Sequence, residues 1–205
     1  MTITDNLNND ISDAPTWFKE SISIKGTELC IENKDGKIAY SKWNSKTESN
    51  NLLIFIHGTG AHKKWWDPIA PQFLNDSNVI AVDLPGMGDS DFRETYSITD
   101  FGKCIFEIIK KEMEEMNIEN IFIVGHSLGG QVAAYVASEN KSLVTSLIMI
   151  DTFIRPPDYD PSQHEGGPLR KIKHYADKIT ILERFRLMPK QECNNTWFLR
   201  YIAEY

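Results

Sequence analysis

The pattern of hydrophobic positions predicts four short buried strands. Four runs are apolar at consecutive positions, namely 52–56, 79–82, 121–124 and 147–150. The residues that directly follow these runs are His57, Asp83, Gly125 and Asp151. Strands that are apolar on both faces are typical of parallel sheets covered by helices on both sides. The pattern therefore favours a parallel sheet.

Amphipathic helices are predicted between these strands. From Ile98 to Met116 apolar residues recur every three or four positions, and Ser97 with Asp100 forms a variant of the capping box. A second helix is predicted from Leu128 to Glu139, where small alanines allow close approach to a sheet. This alternation predicts an α/β fold, with a mostly parallel sheet flanked by helices.

The N-terminal part has a different pattern. Two alternating stretches, Ser21 to Glu32 and Lys37 to Trp43, flank Asp35-Gly36, a combination that predicts an N-terminal β-hairpin. Residues 1–16 are rich in Asn, Asp and Ser, and we predict a flexible tail there.

The rhythm of strands and helices ends after Asp151. Prolines interrupt a polar stretch, and a helical pattern resumes from about Leu169 to Tyr205 without a strand-like run. We interpret this part as a helical cap placed over the sheet. The predicted organisation is therefore a tail over 1–16, an α/β core over 17–152 and a cap or lid segment over 153–205.

Charge and cysteine content exclude several classes of protein. The net charge of −7 disfavours a nucleic-acid-binding protein, and the pairs Lys63-Lys64 and Lys110-Lys111 are predicted to be solvated surface. The three cysteines have no zinc-ligand spacing, so no metal site is expected. The sequence lacks a signal-peptide pattern and an apolar run of about 20 residues, so we expect a cytoplasmic protein that does not enter membranes.

The strongest chemical motif is Gly125-His126-Ser127-Leu128-Gly129, which matches G-x-S-x-G. It follows a predicted strand and opens a predicted helix, which is the context that a nucleophile on a sharp strand-to-helix turn requires. The small flanking residues let strand and helix approach each other closely. Such a turn raises the Ser127 hydroxyl above the sheet edge and directs the Leu128 amide toward a developing oxyanion.

Two further loops follow predicted strands. The turn His57-Gly58-Thr59-Gly60 can present a second backbone N–H to the same oxyanion, with Thr59 the first candidate and Gly60 the second. The segment from Asp83 to Ser90 is rich in Gly and Pro and predicts a compact loop. We favour a structural role for Asp83 over that of a catalytic acid.

Together these three motifs resemble the α/β-hydrolase superfamily, and in particular its branch of serine esterases, haloperoxidases and C–C hydrolases. The resemblance covers Ser21 to about Phe153 well and the remainder loosely. It implies Ser127 as nucleophile, with the amides of Leu128 and Thr59 as oxyanion donors, and neither a metal nor an organic cofactor. A serine at this position argues against dehalogenase and epoxide hydrolase activities, which use aspartate there.

The same resemblance implies an acid and a histidine after Ser127, since the family order is Ser, acid, His. In the family the last two strands carry the histidine and usually the acid, and we expect these strands to be missing here. A complete member would need roughly 60–80 further residues. Asp151 is a possible acid, although a plain strand-end residue is the simpler interpretation. The five histidines are predicted to be structural or superficial: His57, His62, His126, His164 and His174.

The substrate is the least determined feature. Trp65, beyond the oxyanion turn, and Trp197, in the cap, are candidates for an apolar substrate pocket or for plain core packing. We expect a hydrolase of small ester or related carbonyl substrates that acts through an acyl-enzyme. The alternatives are a truncated, catalytically inactive binding protein and lyase chemistry on the same scaffold. The sequence leaves the oligomeric state open.

Overall fold

A six-stranded sheet forms the centre of residues 15–153. Its strands are β1 (Thr27–Asn33), β2 (Gly36–Trp43), β3 (Asn51–Ile56), β4 (Asn78–Val82), β5 (Asn120–His126) and β6 (Ser146–Ile150). They lie in the order β1-β2-β4-β3-β5-β6. The β1–β2 and β2–β4 pairs are antiparallel, and the pairs among β4, β3, β5 and β6 are parallel. The predicted α/β class, mostly parallel sheet and N-terminal hairpin are confirmed.

The computed structural model describes residues 11–154, 177, 180, 182, 185 and 193–205. The chain divides into two units, one of residues 15–153 and one that combines 1–14 with 154–205. Most of the predicted tail and the first part of the predicted cap, including His164 and His174, lie outside the described residues.

The hairpin begins later than its sequence pattern predicts. Helix α1 (Thr16–Ser23) occupies the start of the predicted first strand, and β1 begins only at Thr27. Phe18, Ser21 and Ile22 are buried, and their i, i+3, i+4 spacing is that of one helix face. Over so short a stretch, the apolar positions fit both the alternation of a strand and the spacing of a helix. The burial of Phe18 on the same face as Ser21 and Ile22 accounts for the helix.

Two long helices cover one face of the sheet. Helix α2 (Ile98–Glu115) and helix α3 (Leu128–Glu139) have nearly the predicted bounds. The Ser97 hydroxyl oxygen accepts the Asp100 N–H at 3.1 Å, so the predicted cap is present. The buried face of α2 packs with α3 on strand residues in one apolar cluster that includes Leu52, Ile54, Ile56, Ile105, Ile108, Val132 and Ala133.

The opposite face is covered by the connection between β3 and β4. This connection contains two 3₁₀ helices, Lys63–Trp66 and Ala70–Phe73, and the Trp66 ring stacks on Phe55 with centroids 4.6 Å apart. Together with Leu53 and Val79 they form the second apolar cluster. Helices on one face and a compact connection on the other hold the carboxyl ends of the strands in a fixed layer.

Strand β6 carries exposed apolar side chains on both faces. Ile148 and Ile150 share a face with Val124, and Met149 lies on the other face. These three side chains are 37–56% exposed. A strand with apolar residues on both faces is normally covered on both, so β6 presents apolar surface that the described residues leave open.

The second unit contains one described helix, α4 (Thr196–Ala203). Tyr201 and Ile202 are buried, and the Arg200 guanidinium donates a hydrogen bond to Asp13. Helix α4 agrees with the helical pattern predicted for the end of the chain.

A buried ion pair joins α2 to β2. The Glu112 carboxylate is fully buried and lies 2.6 Å from Lys42 Nζ, while the Tyr40 hydroxyl donates to its other oxygen at 3.0 Å. Burial, followed by the charge and hydrogen bond of Glu112, raises the pKa of Tyr40. The stability of the fold therefore depends on Lys42, which compensates the buried charge of Glu112.

The substitution Lys42→Met is expected to destabilise the fold by about 3 kcal/mol, because it leaves the Glu112 carboxylate buried without its cation. The matched control is Lys110→Met on the same helix as Glu112, where the side chain is 80% exposed and 3.9 Å from Glu114. That change should alter stability by less than about 0.5 kcal/mol. Urea unfolding at neutral pH measures both, and equal effects of the two substitutions would contradict the role of the pair.

Candidate active site

The three sequence motifs meet at the carboxyl ends of β3, β4 and β5. Strand β3 pairs with β4 on one side and with β5 on the other, so the chain connections diverge at this point of the sheet. In open α/β sheets the crevice at such a switch point is the usual ligand site. The His57–Gly60 turn follows β3, and Ser127 follows β5, so both lie at this crevice.

Ser127 occupies a strained turn between β5 and α3. Its φ of 51° and ψ of −117° lie in a region that favours glycine, at a cost of about 1–3 kcal/mol for other residues. Side chains would prevent the surrounding packing. A Cβ on Gly125 would overlap the Gly129 carbonyl, and a Cβ on Gly129 would overlap the Ile56 carbonyl. The small residues of the motif thus permit direct backbone packing of β5, α3 and β3.

Hydrogen bonds hold both peptide groups of Ser127. Its N–H donates to the Ile150 carbonyl at 2.9 Å, and its carbonyl accepts the Gly130 N–H at 3.0 Å. Leu128 is the first residue of α3, so its N–H is one of the helix-start amides without an acceptor inside the helix. The half-buried Ser127 therefore stands beside a positively polarised helix N-terminus.

The turn after β3 lies directly against the nucleophile. A Cβ on Gly58 would be 3.1 Å from the Ser127 Cβ and 2.9 Å from His126 Nδ1. The Gly60 N–H is directed at the sulfur of Met87, 3.3 Å away. Of the two amides considered from the sequence, that of Gly60 thus has a partner, and Thr59 is exposed at the turn. The role of the Thr59 amide as an oxyanion donor stays a prediction.

His57 fixes the orientation of this turn. Its Nδ1 lies 2.7 Å from the Gly58 carbonyl, which can only accept, so Nδ1 carries the proton. Its Nε2 accepts the Leu84 N–H at 3.1 Å. The Gly58 carbonyl and the Thr59 N–H belong to one trans peptide group and point in opposite directions. By holding the carbonyl, His57 directs the Thr59 amide away from itself.

The imidazole of His57 is neutral at physiological pH. Burial lowers its pKa to about 4, although the Gly58 carbonyl and Asp83 act in the opposite direction. Both ring nitrogens already have partners, so His57 does not serve as a general base in this geometry. This agrees with the structural role predicted for it.

The assignment of Lys63 to solvated surface is wrong. Its side chain is 1% exposed, and Nζ donates to Asp83 Oδ2 at 2.7 Å and also to Asp89. The Lys63 N–H donates to Asp83 Oδ1 at 2.6 Å. Burial opposes the charge of Lys63, but the hydrogen bonds to Asp83 and Asp89 outweigh it and raise its pKa. The second lysine, Lys64, is also largely covered and pairs with Glu28.

Asp83 compensates the charge of Lys63 in the interior. It is fully buried at the end of β4, and the Asp89 N–H donates to its Oδ2 at 2.9 Å. Ser90 Oγ donates to the Asp83 carbonyl at 2.7 Å and accepts the Ala39 N–H at 2.9 Å. Both carboxylate oxygens are therefore occupied, in accordance with the structural role predicted for Asp83. The 83–90 loop also contacts the His57–Gly60 turn, through Leu84 and Met87.

Asp151 lies next to the nucleophile turn along the backbone. It directly follows β6 with a φ of 46°, and its side chain is exposed. The residues on either side of it, Ile150 and Thr152, both hydrogen-bond to the backbone of Ser127. Its role as the acid stays a prediction.

The two tryptophans lie in separate units. Trp65 is partly buried in the first 3₁₀ helix, edge-on to the His62 ring at 6.4 Å. Trp197 is partly buried in α4, edge-on to the Phe198 ring at 6.2 Å. Their assignment to a substrate pocket stays a prediction.

No histidine hydrogen-bonds to the Ser127 hydroxyl among the residues that the structure describes. In the same residues, no group of three or more His, Cys, Asp or Glu side chains is arranged to hold a metal ion. The described helices include none that is long and apolar enough to cross a membrane. The described site thus combines a serine on a strained turn with backbone amides at the start of α3 and in the turn after β3. The roles of Ser127 as nucleophile and of these amides as oxyanion donors stay predictions.

Sequence reasoning missed two residues of this site. The sequence predicts that Lys63 is half of an exposed basic pair, and no local pattern distinguishes it from Lys110. Thr152 follows the candidate acid, and nothing in its neighbourhood predicts that its hydroxyl contacts Ser127. In both cases the partner that defines the role is distant in sequence.

This chain is similar in sequence to a family of known proteins and to individual members with assigned activities. Residues 51–184 match the family described as alpha/beta hydrolase fold. The chain is 33% identical over 141 residues to the pimeloyl-[acyl-carrier protein] methyl ester esterase of Pseudoalteromonas atlantica, a match that covers 65% of this chain and 50% of the esterase. It is 27% identical over 146 residues to the 2-succinyl-6-hydroxy-2,4-cyclohexadiene-1-carboxylate synthase of an Enterobacter species, covering 71% of this chain and 51% of the synthase.

Solved structures show the same fold. The crystal structure of E-2-(acetamidomethylene)succinate hydrolase aligns with a TM-score of 0.55 and 25% identity, over 63% of this chain and 45% of that protein. The chain spans about half the length of the esterase and of the synthase that it matches.

Acidification is expected to destabilise the fold through His57. The pKa of its imidazole is about 4 in the folded chain, against an ordinary value of 6.5. Between those values the unfolded state binds more protons, so stability is full above about pH 6.5 and decreases as the pH falls toward 4, by on the order of 3 kcal/mol. His57→Asn retains an N–H near the Nδ1 position without titrating in this range, and it should remove this part of the dependence.

Urea unfolding of both proteins at about pH 7 and about pH 4.5 measures the difference. Titrating groups distant from His57 contribute equally to the two proteins, so the difference reports His57 together with the charges that face it, those of Asp83, His62 and Lys63. The same loss of stability in both proteins would contradict the buried neutral imidazole.

Proposed function

This chain belongs to the α/β-hydrolase fold family, and we propose that it hydrolyses carboxylic esters through an acyl-enzyme on Ser127. The observation that carries the proposal is the strained backbone of Ser127 at a strand-to-helix turn, with a φ of 51°. Strain of this kind persists only where the surrounding structure enforces it, and it is concentrated at functional sites. A serine in a plain turn would have no reason to adopt it.

The proposed reaction begins with attack of Ser127 Oγ on the carbonyl carbon of the ester. A base removes the hydroxyl proton, and the carbonyl oxygen becomes an oxyanion that accepts hydrogen bonds from the amides of Leu128 and Thr59. The intermediate collapses as the alcohol leaves with a proton, and an acyl-Ser127 ester remains. Water then attacks this ester and releases the acid. Each backbone donor would contribute about 3 kcal/mol to stabilising the transition state.

The proton acceptor is the part of the mechanism that the described residues do not supply. His57 has both nitrogens engaged and a lowered pKa. We propose that a histidine outside the described residues acts as base, either His164 or His174 or one in the remainder of a longer protein. Asp151 is the proposed acid that would orient it, since it follows β6 beside the Ser127 backbone.

For the substrate we propose an ester of a carboxylic acid, because a relative at 33% identity is a methyl ester esterase. The acyl chain would contact apolar side chains near the crevice, for which Trp65, in the first 3₁₀ helix, is the candidate. We propose no metal or organic cofactor.

Ser127→Ala is expected to abolish covalent labelling by a fluorophosphonate probe and to lower ester hydrolysis by about 10³-fold or more, because the attacking oxygen is lost. The matched control is Ser142→Ala, which removes an exposed hydroxyl bonded to Asn140. Labelling is read by intact mass, and hydrolysis by release of p-nitrophenol from short-chain esters. Labelling that persists in Ser127→Ala would reject the proposal for this chain. So would the absence of labelling from the unmodified chain when that chain is folded.

Lyase chemistry is a second candidate, because a relative at 27% identity over 71% of this chain is named a synthase and not a hydrolase. The two reactions differ in the fate of water. Hydrolysis through an acyl-enzyme places one oxygen of the solvent in the product acid, whereas elimination places none there. In water enriched in oxygen-18, we expect the acid released from a cleaved ester to gain one heavy oxygen. An unlabelled product of a turned-over substrate would favour the lyase.

A binding role is the alternative of another class, and the exposed apolar side chains of β6 support it. A chain of this kind would bind small acyl compounds or a polypeptide without being labelled at Ser127. Stable folding, measurable binding of an acyl compound and complete absence of labelling would together favour it over catalysis.

A further inference from the structure

We infer that Thr152 is a positioning residue that holds Ser127 in its strained conformation from the end of β6. This goes beyond the proposed function, because Thr152 would not touch the substrate and would act through the backbone of the nucleophile. Its hydroxyl lies 3.2 Å from the Ser127 carbonyl and 3.1 Å from the Ile150 carbonyl. Both carbonyls can only accept, so the single proton of Thr152 Oγ1 is shared between them in a three-centre hydrogen bond.

The position of the hydroxyl matters because the same Ile150 carbonyl accepts the Ser127 N–H at 2.9 Å. The Thr152 side chain therefore contacts two carbonyl groups beside the nucleophile. One is the Ile150 carbonyl, which accepts the Ser127 N–H, and the other is the carbonyl of Ser127 itself. The φ and ψ angles of a residue are set by the orientations of its two peptide planes. Fixing both planes from β6 fixes the strained dihedral angles.

The glycine after the motif is explained by the same contact. A Cβ on Gly130 would overlap Thr152 Oγ1 and would lie 2.9 Å from the Thr152 Cβ and Cγ2 atoms. Gly130 lies in the first turn of α3, where an ordinary helix former would be more stable by about 1 kcal/mol. The absence of a side chain there leaves the space that the Thr152 side chain fills.

A second hydrogen bond secures the segment that carries Thr152. The Gln131 side chain donates from Nε2 to the Phe153 carbonyl at 2.9 Å. Asp151, with its φ of 46°, turns the chain so that the next two residues lie against the start of α3. The segment after β6 is thereby attached to α3 at two consecutive residues, and Thr152 is the one that contacts Ser127.

The test compares Thr152→Val, which keeps the shape and loses the hydroxyl, with Thr152→Ser, which keeps the hydroxyl. Hydrogen exchange of the full 205-residue chain, followed by NMR, reports the Ser127 amide without requiring any activity. A lost hydrogen bond of ordinary strength corresponds to about a threefold to tenfold change in an equilibrium. We expect the Ser127 amide to exchange faster by that factor in Thr152→Val and at the original rate in Thr152→Ser. The amides of Ile54 and Ile80, in the central strands, should be unchanged in both.

The kinetic readout is the rate constant of fluorophosphonate labelling, measured well below the unfolding temperature so that every variant is folded. We expect Thr152→Val to label about threefold to tenfold more slowly at saturating probe, with an unchanged concentration for half-saturation, and Thr152→Ser to restore the rate. This split separates positioning of the nucleophile from binding of the probe.

The two readouts distinguish this inference from the proposed function. Unchanged exchange of Ser127 in Thr152→Val overturns the positioning role, whatever the labelling rate. Faster exchange at Ile54 and Ile80 as well would also overturn it, since the effect would be one on global stability. Faster exchange confined to Ser127 in a chain that never labels would support the positioning role and reject serine catalysis by this chain.

Discussion

The backbone of Ser127 holds a conformation that is unfavourable for any residue with a side chain, and the rest of the site is arranged around it. Strand β5 delivers the residue, α3 begins directly after it, and β3 and β6 lie on either side. The glycines at 125 and 129 allow backbone groups of these elements to come into direct contact. The strain of about 1–3 kcal/mol is small beside the packing of four elements, which is why the turn can persist.

A second layer of polar contacts supports the His57–Gly60 turn, whose Thr59 amide is the proposed oxyanion donor. His57, at the start of the turn, accepts the Leu84 N–H, and Lys63, at the start of the 3₁₀ helix after the turn, donates to Asp83. The two partners belong to one loop after β4, so these contacts attach the turn and the helix after it to a neighbouring strand. A buried charge pair adds little net stability by itself, but it gives this loop one defined position. Preorganised donors stabilise developing charge better than donors that must first rotate into place.

The fold could be predicted from the sequence to a large extent. The strands β3 to β6 and the helices α2 and α3 follow local hydrophobic periodicity, and each was found within one or two residues of its bounds. The hairpin was predicted with its first strand too early, because Thr16–Ser23 is too short for its helical spacing to stand out. The nucleophile motif was also evident, since its glycines and its place between strand and helix are local features.

What the sequence by itself determined is therefore the order of elements, the family and the serine at the turn. Only the tertiary structure decided that Lys63 is buried, that the Gly60 N–H is directed at Met87, and that Thr152 contacts Ser127. The reason is physical. Hydrophobic periodicity acts between neighbours along the chain, whereas the burial of a charge or a hydroxyl depends on a partner brought near by folding. Asp83 is 20 residues from Lys63, and Thr152 is 25 residues from Ser127.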